Sequence, residues 1–297
     1  MPFEKGGRAD KQGNKYEINC IIYEILKILD ETNYSVIIEA LGIDEIGTDI
    51  LVTTFDGQKE HQQCKARNAS KEYWNISDLK SKDILSAWKI QLNRDNNRRV
   101  SLVSPMACSF LFDLHNRACN TSGIAEESYS IQIMKSSKEF QKFYKSFCAE
   151  MSLNSDVDAD VLKSIDYLKR ISYKQISEYE LQERIIQNIQ YLFSSERKTV
   201  YNAFLSFIVM EDILGKEITQ TVLIEYFTKQ GITFRLKDGD KRILPRISEV
   251  NQEYRENFRS LQGGLIFRKE FDVCTKAISN EKAIIISGNA GSGKSGC

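Results

Sequence analysis

Apolar residues fall at helical spacing from Asn14 to Asp30, where Ile18, Ile21, Ile22, Ile25, Leu26 and Leu29 line one side. The pattern then shortens. Tyr34 to Leu41, Asp49 to Phe55 and Glu60 to Ala66 are predicted strands, and Asp56-Gly57 supplies a turn between the last two. Residues 76–93 are predicted helical, Arg99 to Ser104 a strand, and 106–119 helical again. A helix, several strands, then alternating helix and strand is the order of a small α/β sheet domain, set at residues 1–150.

From about residue 155 the pattern is helical. Ser177-Glu178-Tyr179-Glu180 reads as a capping box, with Ser177 as N-cap and Glu180 reaching back to it. It opens a helix carrying Leu181, Ile185, Ile186, Ile189 and Leu192 on one side. Val200 to Leu214 and Glu217 to Lys229 follow as helices, the second stopped by Gly231, and Ile232 to Leu236 reads as a short strand or wing. Residues 151–260 are therefore expected to form a helical linker or oligomerisation region without a catalytic cluster.

Residues 261–297 change the picture. Ala283-Ile284-Ile285-Ile286-Ser287 suits a buried parallel strand, and Gly288-Asn289-Ala290-Gly291-Ser292-Gly293-Lys294-Ser295 after it fits G-x-x-x-x-G-K-[ST]. Gly288, Gly291 and Gly293 let backbone N–H groups curl around phosphate oxygens. Lys294 would reach the β- and γ-phosphates and Ser295 would hold Mg²⁺. This predicts ATP as a cofactor of the full-length protein. Only two residues follow Ser295, so a complete NTPase core is not expected within these 297 residues, and the chain reads as a piece of a larger protein.

Composition narrows the class. Lys+Arg and Asp+Glu are equal at 41 each, which excludes a generally basic nucleic-acid coat or a polybasic membrane binder. No apolar run approaches the roughly 18 residues of a spanning helix, and the N-terminus lacks a secretory layout, so no membrane partner is expected. Seven cysteines at no metal-ligand spacing read as reduced thiols of a soluble, cytoplasmic protein.

Four residues of the first part stand out as candidate chemistry. Glu17 shares the helix side of Ile21 and Ile25, where a carboxylate is costly unless it is paired or binds a metal. Asp49 opens a strand, and Gln63 and Lys65, two apart on the next, face the same way. Register decides whether they meet. A two-residue loop at Asp56-Gly57 would set Asp49 opposite Cys64. A three-residue loop with Gly57 left-handed pairs 54 with 58 and hence 49 with 63, with Lys65 diagonal to Asp49. Glu17, Asp49 and Gln63 would then offer hard oxygen ligands to Mg²⁺ or Mn²⁺, and Lys65 would orient or deprotonate an attacking water. A surface hairpin of ordinary polar residues accounts for the same spacing.

Glu39, at the end of a predicted strand near Asp49, could join the site, although a salt-bridged surface acid is the blander account. Asp10, Asp44 and Glu45 are accessory candidates that a solvated loop would also explain. His61 shares the face of Gln63 and Lys65 but reads as structural, His115 reads as packing, and Cys64 faces the core.

Gly13-Asn14-Lys15-Tyr16-Glu17, Gly47-Thr48-Asp49-Ile50 and Gln63-Cys64-Lys65 resemble the motifs of Mrr-like restriction endonucleases of the PD-(D/E)xK superfamily. The opening Gly6-Gly7-Arg8-Ala9-Asp10-Lys11, with Tyr16-Glu17, is similar to the double-stranded-DNA endonuclease domain of bacterial antiphage systems, including antiviral STAND NTPases. The resemblance implies a PD-(D/E)xK sheet flanked by helices, with Glu17, Asp49, Gln63 and Lys65 as active-site residues and Gln63 standing where an acid is commoner. It further implies a metal-dependent endonuclease acting on double-stranded DNA. An ATP-binding STAND module would gate it, and it would oligomerise on activation by a phage-derived trigger. Residues 1–122 hold 16 Lys/Arg against 17 Asp/Glu, which predicts weak DNA affinity per copy. A non-catalytic nucleic-acid-binding or assembly module, or a signalling NTPase that recruits proteins, remains the alternative.

Overall fold

The computed structural model describes residues 5–66, 71–121, 123–210, 213–235 and 245–252. The P-loop residues Gly288, Gly291, Gly293, Lys294 and Ser295 lie outside them.

The first helix, α1 (Lys5–Leu29), starts well before the predicted Asn14 and runs the full length of the apolar stripe. β1 (Ser35–Ile38) follows, then a 3-10 turn at Gly42–Glu45, β2 (Ile50–Thr53) and β3 (Lys59–Cys64). The predicted helix over 76–93 divides into α2 (Ile76–Ser81) and α3 (Ile84–Leu92), because Asp83 sits at φ +57 between them. β4 (Arg98–Ser104), α4 (Ser109–Cys119), α5 (Ala125–Glu127, continuing as a π-helical turn to Ile133), α6 (Lys138–Glu150) and α7 (Asp158–Arg170) come next. The described chain then adds β5 (Ile171–Gln175), α8 (Glu178–Leu192), α9 (Arg197–Met210), β6 (Glu217–Thr219) and α10 (Gln220–Lys229).

The architecture is mixed α/β. Six strands form one sheet in the order β5-β4-β3-β2-β1-β6, with β3, β4 and β5 parallel and the β3-β2-β1-β6 pairs antiparallel. Alternation along the strands gives each face its own core. On one face Val36, Ile38, Ile50, Val52, Cys64 and Val103 meet α1, α8, α9 and α10. On the other, Val100, Leu102 and Ile171 meet α2, α3, α4, α6 and α7.

Two expectations change here. The described residues from 151 to 235 are not helical alone, since β5 and β6 extend the same sheet and residues 1–235 form one compact unit. The physical reason is coverage: Ile22, Ile25 and Leu26 of α1 are fully buried, and Ile185, Ile189, Phe204 and Phe227 from beyond residue 150 share their core. The Ser177 cap is also only half a box. Its hydroxyl accepts from the Glu180 N–H at 3.1 Å, but the Glu180 carboxylate turns to Arg184 at 2.7 Å. Among the described residues no helix is long and apolar enough to cross a membrane.

Candidate functional site

The β2–β3 loop sets the site. Gly57 takes φ +81, Thr54 N–H bonds the Gln58 carbonyl at 3.0 Å, and the ladder runs Thr53↔Lys59 to Ile50↔Gln62, as the three-residue loop predicts. One step further the ladder ends and Asp49 takes its place. The Asp49 N–H bonds the Gln62 carbonyl at 2.9 Å, and Asp49 Oδ2 accepts the Cys64 N–H at 2.7 Å. Lys65 Nζ lies 3.4 Å from the same oxygen. Oδ1 takes no hydrogen bond among the described residues. Asp49 thus reaches past the end of β2 to β3, one oxygen pinned and the other available.

Glu17 arrives from α1, on the helical turn between the buried Tyr16 and Cys20. Burial raises its carboxyl above the ordinary carboxylate range, the Asp49 and Glu39 charges add to the rise, and Lys65 opposes it. Glu17 therefore sits within electrostatic reach of Asp49, Lys65 and Glu39. Cys64 is buried with its thiol against Cys20, and that contact and burial push it far up, so it belongs to the core. Gln63, next to it on β3, has a buried Oε1 with no hydrogen-bond partner among the described residues.

These acceptors fit a hard divalent cation. Gln63 Oε1 and Asp49 Oδ1 are hard oxygens without a donor among the described residues, and an orphaned buried oxygen costs about 1–3 kcal/mol unless something fills its lone pairs. No three His, Cys, Asp or Glu side chains close on a single ion among the described residues, so water would complete the shell, as suits Mg²⁺.

The remaining candidates divide. Asp10 lies outside the described side chains, and Glu45 is exposed. Asp44 belongs to a buried clamp. Burial would raise its carboxyl, but the Arg98 hydrogen bond and charge hold it below its ordinary value. Arg98 Nη1 donates to Asp44 Oδ1 at 2.7 Å, to His61 Nε2 at 2.8 Å and to Gln91 Oε1 at 2.8 Å. Because a guanidinium only donates, Nε2 accepts and Nδ1–H faces Thr48 Oγ1 at 3.0 Å. Burial and the Arg98 charge lower His61 to about 4, which keeps it neutral. Gln91 Nε2 closes the clamp on the carbonyls of Ile43 and Ile46, at 2.8 and 3.1 Å. The clamp holds the loop that delivers Asp49, so His61 and Arg98 are positioning residues. No motif marks them; a histidine inside β3 and an arginine opening β4 are their trace in the sequence. His115 Nδ1 bonds the Leu168 carbonyl at 2.8 Å, a packing role.

A cavity of about 710 Å³ opens where α1, α4, β5 and α8 meet, with Lys27, Lys174 and Arg184 in its wall. Its cations are already paired, Lys27 with Glu24 at 2.9 Å, Lys174 with Glu60 at 2.7 Å and Arg184 with Glu180 at 2.7 Å.

No family model and no curated protein matches this chain. Among solved structures, it is similar to a Moraxella osloensis Cap4 SAVED/CARF-domain containing receptor at 14% sequence identity and a TM-score of 0.41. The match covers 73% of this chain and 48% of that one, so the chain spans about half the receptor's length. At that degree of likeness the functional reading rests on the residues of the site.

Proposed function

We propose that residues 1–235 carry a PD-(D/E)xK-type, metal-dependent endonuclease that hydrolyses phosphodiester bonds of double-stranded DNA. The observation that carries the reading is the Asp49–Lys65 pair at the strand end, within electrostatic reach of Glu17, beside Gln63, whose Oε1 has no partner among the described residues. Glu17, Asp49 Oδ1 and Gln63 Oε1 would hold Mg²⁺ or Mn²⁺. Such an ion, when bound, stabilises charge on the scissile phosphate and acidifies a bound water. The chain's own groups do the rest. The Cys64 N–H fixes Asp49 so that its free oxygen is presented in one orientation. The Lys65 ammonium orients the attacking water and offsets phosphate charge, while its contact to Asp49 keeps it at the site.

The rest of the proposal follows from the P-loop and the motif resemblance. ATP at Gly288, Gly291, Gly293, Lys294 and Ser295 would gate assembly of several copies in antiphage defence. Each copy would add its few phosphate contacts, which suits the balanced charge of residues 1–122. The test is cleavage of supercoiled plasmid by the full-length protein with Mg²⁺ or Mn²⁺, with and without ATP, beside Asp49→Ala and Lys65→Ala. Metal-dependent cutting by wild type alone supports the reading. Equal cutting by the variants refutes the residue roles, and no cutting by wild type under any of these conditions, together with no Mn²⁺ binding by wild type, refutes the nuclease.

A further inference from the structure

We infer that the outer face of α6 is a docking surface for the phosphate backbone of double-stranded DNA. The inference rests on the duplex-DNA reading proposed above and adds the surface that holds the substrate. Helical period sorts the residues of α6: Phe140, Phe143, Tyr144 and Phe147 are buried, while Lys138, Lys142 and Lys145 are exposed on the other side. At 1.5 Å per residue the three lysines span about 10 Å of helix axis, about the rise of three base pairs. With Gln141, Ser146 and Ala149 they line a shallow depression of about 440 Å³.

Elsewhere the chain neutralises many of its lysines. Lys15, Lys71, Lys80 and Lys174 each sit in an ion pair. Lys138, Lys142 and Lys145 have no ion pair among the described residues, although Glu139 stands three positions before Lys142, where a helix brings opposite charges together. The lysines themselves are spaced four and three apart, so like charges face one another along the row. A bound polyanion removes that repulsion. The depression holds no large apolar side chain, which disfavours both insertion into a lipid surface and the stacking of unpaired bases. Point charges without base-reading groups suit the backbone of a duplex.

α6 is also held at the end of the sheet that bears the candidate site. The Lys65 N–H bonds the Val103 carbonyl at 2.9 Å, so β4 ends beside Lys65. α4 opens just beyond, and its Phe110 ring lies 6.2 Å from that of Phe140 and 5.3 Å from that of Phe143, in the first turns of α6. The Arg117 guanidinium lies 4.5 Å from the Phe140 ring centre and fastens the same turn. Residues 1–122 are nearly balanced in charge, and the α6 row supplies phosphate contacts from outside that stretch.

The test uses the full-length protein and a fluorescein-labelled duplex of about 30 base pairs in EDTA, with binding read by anisotropy from about 50 to 200 mM NaCl. The triple variant Lys138→Gln, Lys142→Gln, Lys145→Gln keeps the helix and removes three charges. Each lost phosphate contact should flatten log K against log salt by about 0.9, so the triple should lose about 2–3 of slope and bind about 10-fold or more weakly at about 100 mM, equally on two unrelated sequences. A control triple at exposed lysines off α6, Lys82→Gln, Lys169→Gln, Lys229→Gln, should lose less than about 1 of slope. In the plasmid assay the α6 triple should raise the DNA concentration for half-maximal rate several-fold and keep the maximal rate within about twofold. An unchanged slope in the α6 triple, or equal losses in both triples, overturns the docking surface and leaves the nuclease reading to its own cleavage assay. Binding to phosphatidylserine vesicles that the α6 triple loses, with no binding to the duplex, assigns the row to a membrane and overturns the inference. No duplex binding by wild type at about 50 mM NaCl overturns the surface and the double-stranded-DNA substrate together. A slope lost only in the α6 triple, with neither cutting nor Mn²⁺ binding by wild type, supports the surface and refutes the nuclease.

Discussion

Gly47 stands two residues before Asp49 and, among the described glycines at positive φ, has the least room. At φ +64, a Cβ built on it would lie 2.4 Å from Ala87 Cβ on α3. Two costs follow for Gly47→Ala. The left-handed backbone costs an L-residue about 1–2 kcal/mol. The overlap is more than 1 Å inside normal carbon contact and must be relieved by moving the loop or α3, which costs about 1–3 kcal/mol. The sum is about 2–5 kcal/mol. Gly57→Ala is the internal control, because φ is +81 there and nothing lies within 4 Å of its Cβ, so only the first cost applies.

Urea unfolding with linear extrapolation measures both. A double variant, Gly47→Ala with Ala87→Gly, should recover about 1–3 kcal/mol of the loss in a double-mutant cycle. Since the displaced loop delivers Asp49, Gly47→Ala should also lower plasmid cleavage at temperatures where it stays folded. The reasoning fails if Gly47→Ala costs no more than Gly57→Ala, or if removing the Ala87 methyl gives no coupling.

Three further outcomes are expected. His61 is buried neutral with its pKa lowered to about 4, so the unfolded chain binds the extra proton between about pH 6.5 and 4; stability is full above that window and falls within it by up to about 3 kcal/mol. Urea midpoints of wild type between pH 7.5 and 4.5, compared with His61→Gln, check this, and parallel pH slopes would contradict it. Glu17 has a raised pKa, so its charged form is the disfavoured one in the folded protein and its contribution to stability is lost as pH rises through that value. Glu17→Gln should therefore leave the metal-free protein as stable as wild type or more so at pH 7.5 in a urea series, while abolishing cleavage. Lys65→Ala should slow cleavage by about 10²-fold or more with the fold intact by circular dichroism, the scale of a lost proton-handling or charge-stabilising group.

Much of the site is legible in the chain because its determinants are local. A left-handed Gly57 specifies the loop type, the loop specifies the register, and period 2 then puts Asp49 beside Gln63 and Lys65. The stripe from Ile18 to Leu29 likewise announces α1 and carries Glu17 to its apolar side. What stays hidden depends on partners far along the sequence. β6 joins β1 through Val36↔Ile218, and β5 joins β4 through Leu102↔Tyr173. Nothing in a three-residue strand such as Glu217–Thr219 signals this until an uncovered sheet edge is there to receive it.

The same division holds at the site. The sequence by itself determined the helix that bears Glu17 and, once Gly57 takes the left-handed loop, the line of Asp49, Gln63 and Lys65, because turn conformation and side-chain period act over a few residues. Only the tertiary structure decided that Arg98, His61, Gln91 and Thr48 clamp the loop ahead of Asp49. Those groups lie up to fifty residues apart. They meet because a buried guanidinium must find acceptors wherever packing supplies them.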